Sequence, residues 1–397
     1  MHRTHIHNLN KDLYNGTYGE EQCIGDGMTN NPASWRDYNF LLGIALLGLL
    51  GYSLAMVYSA TLNNPMTEGY FSRHLFNILV GFAAMAALTW LDYHALQGWT
   101  FPLYIISVVL LAVVLVFGNI RGGAQSWIDF GLRTVQPSEP IKLILIVVLA
   151  SFWSSQERRL GEWRPFIGSV VLLAVPLLLV FIQPDFGTSL VFGMVWIFMS
   201  WTAGVRLIQF LSLGAIAAPI AYFGWTYILA PYQRTRLLIF LDPIKYDPEL
   251  KAGAWNIIQS LTAIGSGGLT GQGWTDGVMS QGNYLPVQYT DFIFAITGEE
   301  LGFVGTFIML IFLCLLVWQA LDIAVNSRDM FGRLVATGIA AMFLCHILVN
   351  VGMNMSIMPI TGIPLPFISY GGSFTVTSFA AIGLLQSIAL WRRRYHF

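Results

Sequence analysis

The sequence predicts an all-α polytopic membrane protein, with about ten transmembrane helices and a long extracytoplasmic loop between helices 7 and 8. Three observations carry that expectation. Of 397 residues, 55% are hydrophobic and only 10% are charged, where a soluble domain carries roughly 25% charged residues. Apolar runs recur along the chain at the length of about 17–25 residues that crosses a bilayer. Arginines gather at alternate ends of those runs, as they do on the cytoplasmic side of a membrane. A formal net charge of −1 offers no basic face for nucleic acid.

The elements follow in order. Residues 1–36 are polar and lack the apolar core of a signal peptide, so they read as a disordered cytoplasmic tail, His2, His5 and His7 included. Residues 37–397 read as a single ten-helix membrane domain, with spans near 38–60, 74–91, 101–118, 139–154, 166–182, 186–203, 207–230, 291–320, 334–353 and 373–391. Ten spans place Arg36, Arg158, Arg159, Arg164, Arg206, Arg328, Arg333 and Arg392 to Arg394 on one side. That side is then cytoplasmic and both termini lie inside. Segments 119–138, 231–290 and 354–372 face outward. Long loops obey the charge rule poorly, so Arg234, Arg236, Lys245 and Lys251 read as ligands for an external anion. Cys23, Cys314 and Cys345 are scattered and form neither a disulfide framework nor a zinc spacing.

Polar groups inside apolar runs are costly and call for partners or a function. In segment 119–138, Trp127 fits either an interfacial aromatic belt or a surface on which a sugar stacks. Ser138 is placed to cap the fourth helix. Glu139 and Lys142 share one face of that helix, as a self-neutralising pair or as the wall of a polar cavity. Asp185, in the turn Gln183-Pro-Asp185, is placed to cap the sixth helix. Gly265 to Gly273 reads as a tight loop with backbone amides near an anion. Pro359, Pro364 and Pro366 forbid a regular helix there, so that backbone is buried in protein or lines a wet cavity, and Asn350 and Asn354 just before it support the same reading. Asp291 stands where the long polar stretch meets an apolar run, as a helix cap or as a reactive carboxylate. Along one continuous helix, Glu299 falls roughly 12 Å deeper. Glu299 and Glu300 there either pair with arginine or backbone donors or serve a proton path.

Several motifs occur in a fixed order: Gln136-Pro-Ser-Glu139 with Lys142; Gln183-Pro-Asp185-Phe-Gly; Tyr232-Gln-Arg234 followed by Asp242-Pro243; Gln259-Ser260 with Gly265-Ser-Gly-Gly268; Thr290-Asp291-Phe with Glu299-Glu300-Leu-Gly302; and Gly362-Ile-Pro-Leu-Pro366 with Ser369-Tyr-Gly-Gly372. Taken together the chain resembles the SEDS family of bacterial envelope proteins, the RodA, FtsW and SpoVE type, from about residue 36 onward. It leans towards the RodA branch through Tyr232-Gln-Arg234, Gly271-Gln-Gly273 and Thr361-Gly-Ile-Pro364. It departs from the family at Val287 and Tyr289, where Glu and His are usual.

The resemblance implies a peptidoglycan glycosyltransferase of the bacterial cytoplasmic membrane, polymerising lipid II for elongation and shape beside a class B penicillin-binding protein. On that basis Asp291 is expected to be the catalytic base. Trp127, Arg133, Gln136, Glu139, Lys142, Arg234 and Arg236 are expected to bind substrate, the cations at the lipid diphosphate. A Mg²⁺ or Mn²⁺ bridging the diphosphate is compatible with this chemistry, although no dedicated ligand cage is readable. A lipid II flippase, a non-catalytic scaffold for a penicillin-binding protein and an ion-coupled carrier are the competing readings.

Overall fold

The computed structural model describes residues 38–121, 124–129, 131, 134–228, 234, 238–250 and 253–391. Arg133, Arg236 and the 1–36 tail lie outside the described residues. Eleven longer helices carry the fold: α1 Phe40–Leu62, α2 Tyr70–Trp90, α3 Thr100–Phe117, α4 Ser138–Ser155, α5 Trp163–Ile182, α6 Phe186–Thr202, α7 Leu207–Phe223, α8 Ala254–Ser266, α9 Ile293–Val325, α10 Met330–Asn354 and α11 Gly372–Leu390. All but α6 and α8 are long and apolar enough to cross a bilayer, and α6 is apolar with 17 residues. These ten helices fall where the ten spans were expected.

The order of enclosure explains the sequence pattern. In α10 and α11, 83% and 78% of the apolar window is buried, against 6% in α7. The first two form the interior and therefore carry small and polar residues, whereas α7 is mostly apolar beyond its first turns. Helix α2 lies along α11, α1 along α9, and α10 against α4, α6 and α9. Close packing of α2 on α11 depends on glycine: a Cβ on Gly383 would stand 2.6 Å from the Met85 carbonyl. Small residues let membrane helices approach in this way.

Hydrogen bonds sort the connections into two ends. At one end, Gln209 Nε2 donates to the Glu162 carbonyl (2.9 Å), the Tyr93 hydroxyl donates to Asp329, and the Ser387 hydroxyl donates to the Leu91 carbonyl (2.6 Å). This end carries Arg158, Arg159, Arg206 and Arg328. At the other end, Gln136 N donates to Ser373 Oγ (3.0 Å) and the Ser369 hydroxyl to the Thr290 carbonyl (2.6 Å). We refer to the latter as the long-loop end.

The long-loop end holds more regular structure than hydropathy reveals. Residues 119–135 include an antiparallel sheet of order β1 (Asn119–Arg121), β2 (Ala124–Asp129) and β3 (Thr134–Val135). Within 231–290, α8 packs against α9. There the glycine loop meets a break in α9 at Gly302 (φ 65°, ψ −166°). Gln272 N and Gly273 N donate to the carbonyls of Glu299 and Glu300, and Phe303 N and Val304 N donate to those of Gly268 and Leu269.

Three expectations are corrected by this arrangement. The glycine-loop amides of Gln272 and Gly273 are engaged by carbonyls of α9 rather than facing an anion. Glu299 and Glu300 stand before the break at Gly302, and their carboxylates meet groups of the long-loop end rather than lying deeper. Glu300 accepts from Ser59 Oγ (2.5 Å), which lies near the long-loop end of α1, while Tyr52 further along α1 reaches Gly305 O (2.9 Å). Both carboxylates bind backbone donors: Glu299 accepts Met279 N (2.6 Å) and Ser280 N (3.0 Å), and Glu300 accepts Thr275 N (3.2 Å). Finally, Ser138 is the first residue of α4, Pro137 holds the cap position, and no side chain caps that end.

Candidate active site

The long-loop end gathers two non-helical stretches, 285–292 and 357–371, over the ends of α10 and α11. Asp291 lies in the first. It does not cap α9, because the cap position belongs to Phe292 and no side chain bonds to that helix end. Its backbone is held instead. Asn350 Nδ2 and Asn354 Nδ2 both donate to the Asp291 carbonyl at 3.0 Å. Asp291 N reaches the Val287 carbonyl at 3.3 Å. The carboxylate thus remains uncommitted to helix capping.

Gly362 (φ 69°) closes one side: a Cβ there would lie 3.5 Å from Asp291 Oδ2. Any other residue at Gly362 would be strained in that conformation. Burial pushes the Asp291 carboxyl up to about 6, partly opposed by the Thr290 hydroxyl. Loss of water disfavours the charged form, as expected of a carboxylate set into protein.

Three tyrosines cluster next to this stretch, and Tyr289 feels the charge of Asp291. Tyr70 and Tyr370 stack at 5.0 Å, and Tyr289 meets both edge-on at 5.2 and 5.7 Å. The Arg73 guanidinium lies 5.7 Å from the Tyr70 ring centroid. Tyr370 N donates to the Tyr289 carbonyl (2.9 Å), which ties this cluster to the Asp291 stretch. Tyr289 occupies the position where the family resemblance leads one to expect histidine. Burial, with the neighbouring Tyr70, pushes its phenol up to about 12, so near neutral pH it donates a proton in hydrogen bonds and does not act as a base.

Helix α10 supplies a polar ladder. His346, Asn350 and Asn354 follow one another at intervals of four and are fully buried. Such spacing puts them on one helix face. Asn350 Nδ2 also donates to the Ile363 carbonyl (2.7 Å), and Ser260 Oγ donates to the Asn354 carbonyl (2.9 Å). Asn350 therefore meets the proline-rich stretch, whereas Asn354 is held to Asp291, Asn350 and Ser260.

Beneath this shelf, Lys142 Nζ donates to Glu139 Oε1 at 2.9 Å, and both residues are buried. The self-neutralising reading of that pair matches this geometry. Lys142 also lies 3.1 Å from His346 Nε2. Sequence reasoning missed His346, although an imidazole within the apolar run 334–353 was the available signal. It also passed over Tyr70 and Arg73.

The other expected site residues divide as follows. Gln136 Nε2 donates to Asp185 Oδ2 (3.0 Å), and Asp185 caps α6 through Thr188 N (2.9 Å), as its position predicts. Trp127 is half-buried in β2, paired across the sheet with Asn119. Arg234 donates to the Thr226 carbonyl at 3.0 Å. Among the described residues, no group of three or more His, Cys, Asp or Glu is arranged to hold a metal ion.

These features define an integral membrane protein whose polar chemistry is concentrated at one end, around a half-buried carboxylate. The family model described as cell cycle protein, of the FtsW, RodA and SpoVE type, matches residues 38–394. The chain belongs to this family. It is 38% identical over 373 residues to the peptidoglycan glycosyltransferase MrdB of Escherichia coli, covering 92% of this chain and 98% of that one. Over 428 aligned residues it is 34% identical to the peptidoglycan glycosyltransferase RodA of Treponema pallidum, covering 89% and 97%. A similar solved chain comes from work on structural coordination of polymerization and crosslinking by a peptidoglycan synthase complex. It has a TM-score of 0.78 and 28% identity, covering 91% of this chain and all of that one. Thermus thermophilus RodA matches with a TM-score of 0.68 and 25% identity, covering 91% and 99%.

Proposed function

We propose that Asp291 is the general base of a glycosyl transfer carried out at the long-loop end of the bundle. The chain is a peptidoglycan glycosyltransferase, the activity of its Escherichia coli and Treponema pallidum relatives. The long-loop end faces outward, and lipid II is the substrate. The 4-hydroxyl of the acceptor GlcNAc attacks the anomeric carbon of the donor MurNAc. The new glycosidic bond forms as the bond to undecaprenyl diphosphate breaks, and the hydroxyl proton passes to Asp291.

The observation that carries this reading is the Asp291 carboxylate: fixed through its backbone, free of any capping duty and held up to about 6. It is ionised near neutral pH yet remains a stronger base than an ordinary aspartate. A positioned base contributes about 100- to 10,000-fold to such a reaction. Diphosphate is a good leaving group, so a second carboxylic acid of the glycosidase kind is unnecessary. Positive charge on the departing diphosphate is needed instead. Arg133, Arg234 and Arg236 supply it, while Lys142 acts from within the buried pair with Glu139. Among the described residues, no three His, Cys, Asp or Glu form a cage for Mg²⁺ or Mn²⁺. Such an ion, if bound, would neutralise the charge of the diphosphate. A class B penicillin-binding protein is the partner, in keeping with the similar chain of a synthase complex that coordinates polymerization and crosslinking.

Purified Asp291→Asn protein incubated with lipid II is expected to yield no glycan polymer while eluting as the parent does. Polymer at a near-parental rate overturns the base assignment. A flippase would move lipid II without forming polymer, so the parent protein in the same assay separates the two activities.

A further inference from the structure

We infer that His346 is a positioning residue for the reaction, linking the buried Glu139–Lys142 pair to the backbone that flanks Asp291. The inference rests on Asp291 being the base.

The hydrogen-bond roles follow from the neighbours. His346 Nδ1 lies 3.0 Å from the Pro364 carbonyl, which only accepts, so Nδ1 carries the ring proton. Nε2 then presents its lone pair to Lys142 Nζ at 3.1 Å. An ammonium only donates, so this contact requires the same tautomer. The two contacts demand one neutral imidazole in one orientation. The ring is stacked on Phe374 at 4.7 Å, and Lys142 lies 5.7 Å from the same aromatic ring.

The remaining links lead to the carboxylate. Lys142 is held by Glu139 Oε1 at 2.9 Å. Glu139 Oε2 is buried and has no hydrogen-bond partner among the described residues. This ion pair is therefore only partly satisfied on its own, and the imidazole completes the coordination of the ammonium. On the far side, Pro364 is two residues from Gly362, which closes the pocket of Asp291 Oδ2. Asn350, one helical turn along from His346, holds the carbonyls of both Ile363 and Asp291. His346 and Asn350 thus fix consecutive carbonyls of the stretch against which Asp291 rests. Misplacing a reacting group by about 1 Å can cost on the order of 100-fold in rate.

Three substitutions separate the two nitrogens. His346→Phe keeps a ring on Phe374 and removes both polar contacts. His346→Asn retains a donor for Pro364, and His346→Gln retains an acceptor for Lys142. Lipid II polymerisation is measured at varied substrate concentration, alongside thermal unfolding in detergent. For His346→Phe the expected result is a fall in kcat of about tenfold or more with KM within about twofold of the parent. His346→Asn and His346→Gln, each keeping one of the two contacts, recover only part of that loss. Rates within about twofold of the parent for all three overturn the proposal, since truncating a positioning contact should lower kcat. Equal losses in all three, accompanied by a lowered unfolding midpoint, also overturn it in favour of a purely structural role. Asp291→Asn measured in parallel keeps the two readings apart: polymerisation at a near-parental rate there refutes the base assignment, whatever the His346 variants do.

Discussion

At the scale of single residues, Asp291 sets function against stability. As a base it must be ionised, so polymerisation is expected to rise with pH, reach half its maximum near about 6 and level off above. An unshifted profile, already flat at about pH 5, would contradict the burial that raises this carboxyl. The same shift fixes the sign of its effect on stability. The folded-state value, about 6, exceeds the ordinary value of 3.8, so the unfolded chain ionises first as pH rises. Stability therefore falls across that window and stays lower above it. Asp291→Asn should unfold at a higher temperature than the parent at about pH 7.5, and this gain should disappear below about pH 4. Asp291, Asn350, Asn354, Glu139 and Lys142 were legible in the sequence because polar groups in apolar runs are conspicuous. His346 and the tyrosine cluster were not. Their meaning lies in the partners Lys142, Pro364 and Tyr370, which are far away in sequence or belong to an irregular stretch.

At the scale of elements, the break in α9 decides where the polar groups go. Hydropathy reads 291–320 as one apolar run and carries no sign of a break, so Glu299 and Glu300 were expected deeper in the membrane. Gly302, at φ 65°, lets the backbone turn while Gly271 and Leu269 pack against it. A Cβ on Gly302 would stand 2.2 Å from Gly271 N and 2.7 Å from the Leu269 carbonyl oxygen, and neither is a flexible side chain. Gly302→Ala is therefore expected to lower stability by at least about 2 kcal/mol, read as a reduced unfolding midpoint in detergent. An unchanged midpoint would mean that the α8–α9 connection does not depend on this close approach. Glu300→Ala probes the same joint. It strands the donors of Ser59 and Thr275, each of which costs about 1–3 kcal/mol if left buried and unpaired, while the Ser280 hydroxyl keeps the Gly277 carbonyl. Unlike these side-chain contacts, the cap of α6 was readable from sequence, because Asp185 and Thr188 lie within a single helical turn.

At the scale of the whole molecule, ten apolar helices among the described residues join so that the arginine-bearing connections and the buried polar cluster lie at opposite ends. The positions of those helices were readable because a bilayer admits only backbone that satisfies its own hydrogen bonds, and apolar length marks such segments directly. The sheet at 119–135 was not readable, since strands this short carry little periodicity. The placement of arginines supplies a direction. Arg158, Arg159, Arg206 and Arg328 lie on connections at the end opposite Asp291, and the positive-inside rule predicts that this end is cytoplasmic. Single cysteines test this placement in whole cells. The background is first cleared by Cys23→Ala, Cys314→Ala and Cys345→Ala. Asp276→Cys and Glu157→Cys then each place one thiol at an exposed position, the first at the long-loop end and the second at the arginine end. An impermeant maleimide small enough to cross the outer envelope should label Asp276→Cys in intact cells and Glu157→Cys only after the cytoplasmic membrane is opened. The opposite pattern would put Asp291 on the cytoplasmic side, away from sugars assembled outside, and would remove the proposed reaction from this carboxylate even if its geometry were unchanged.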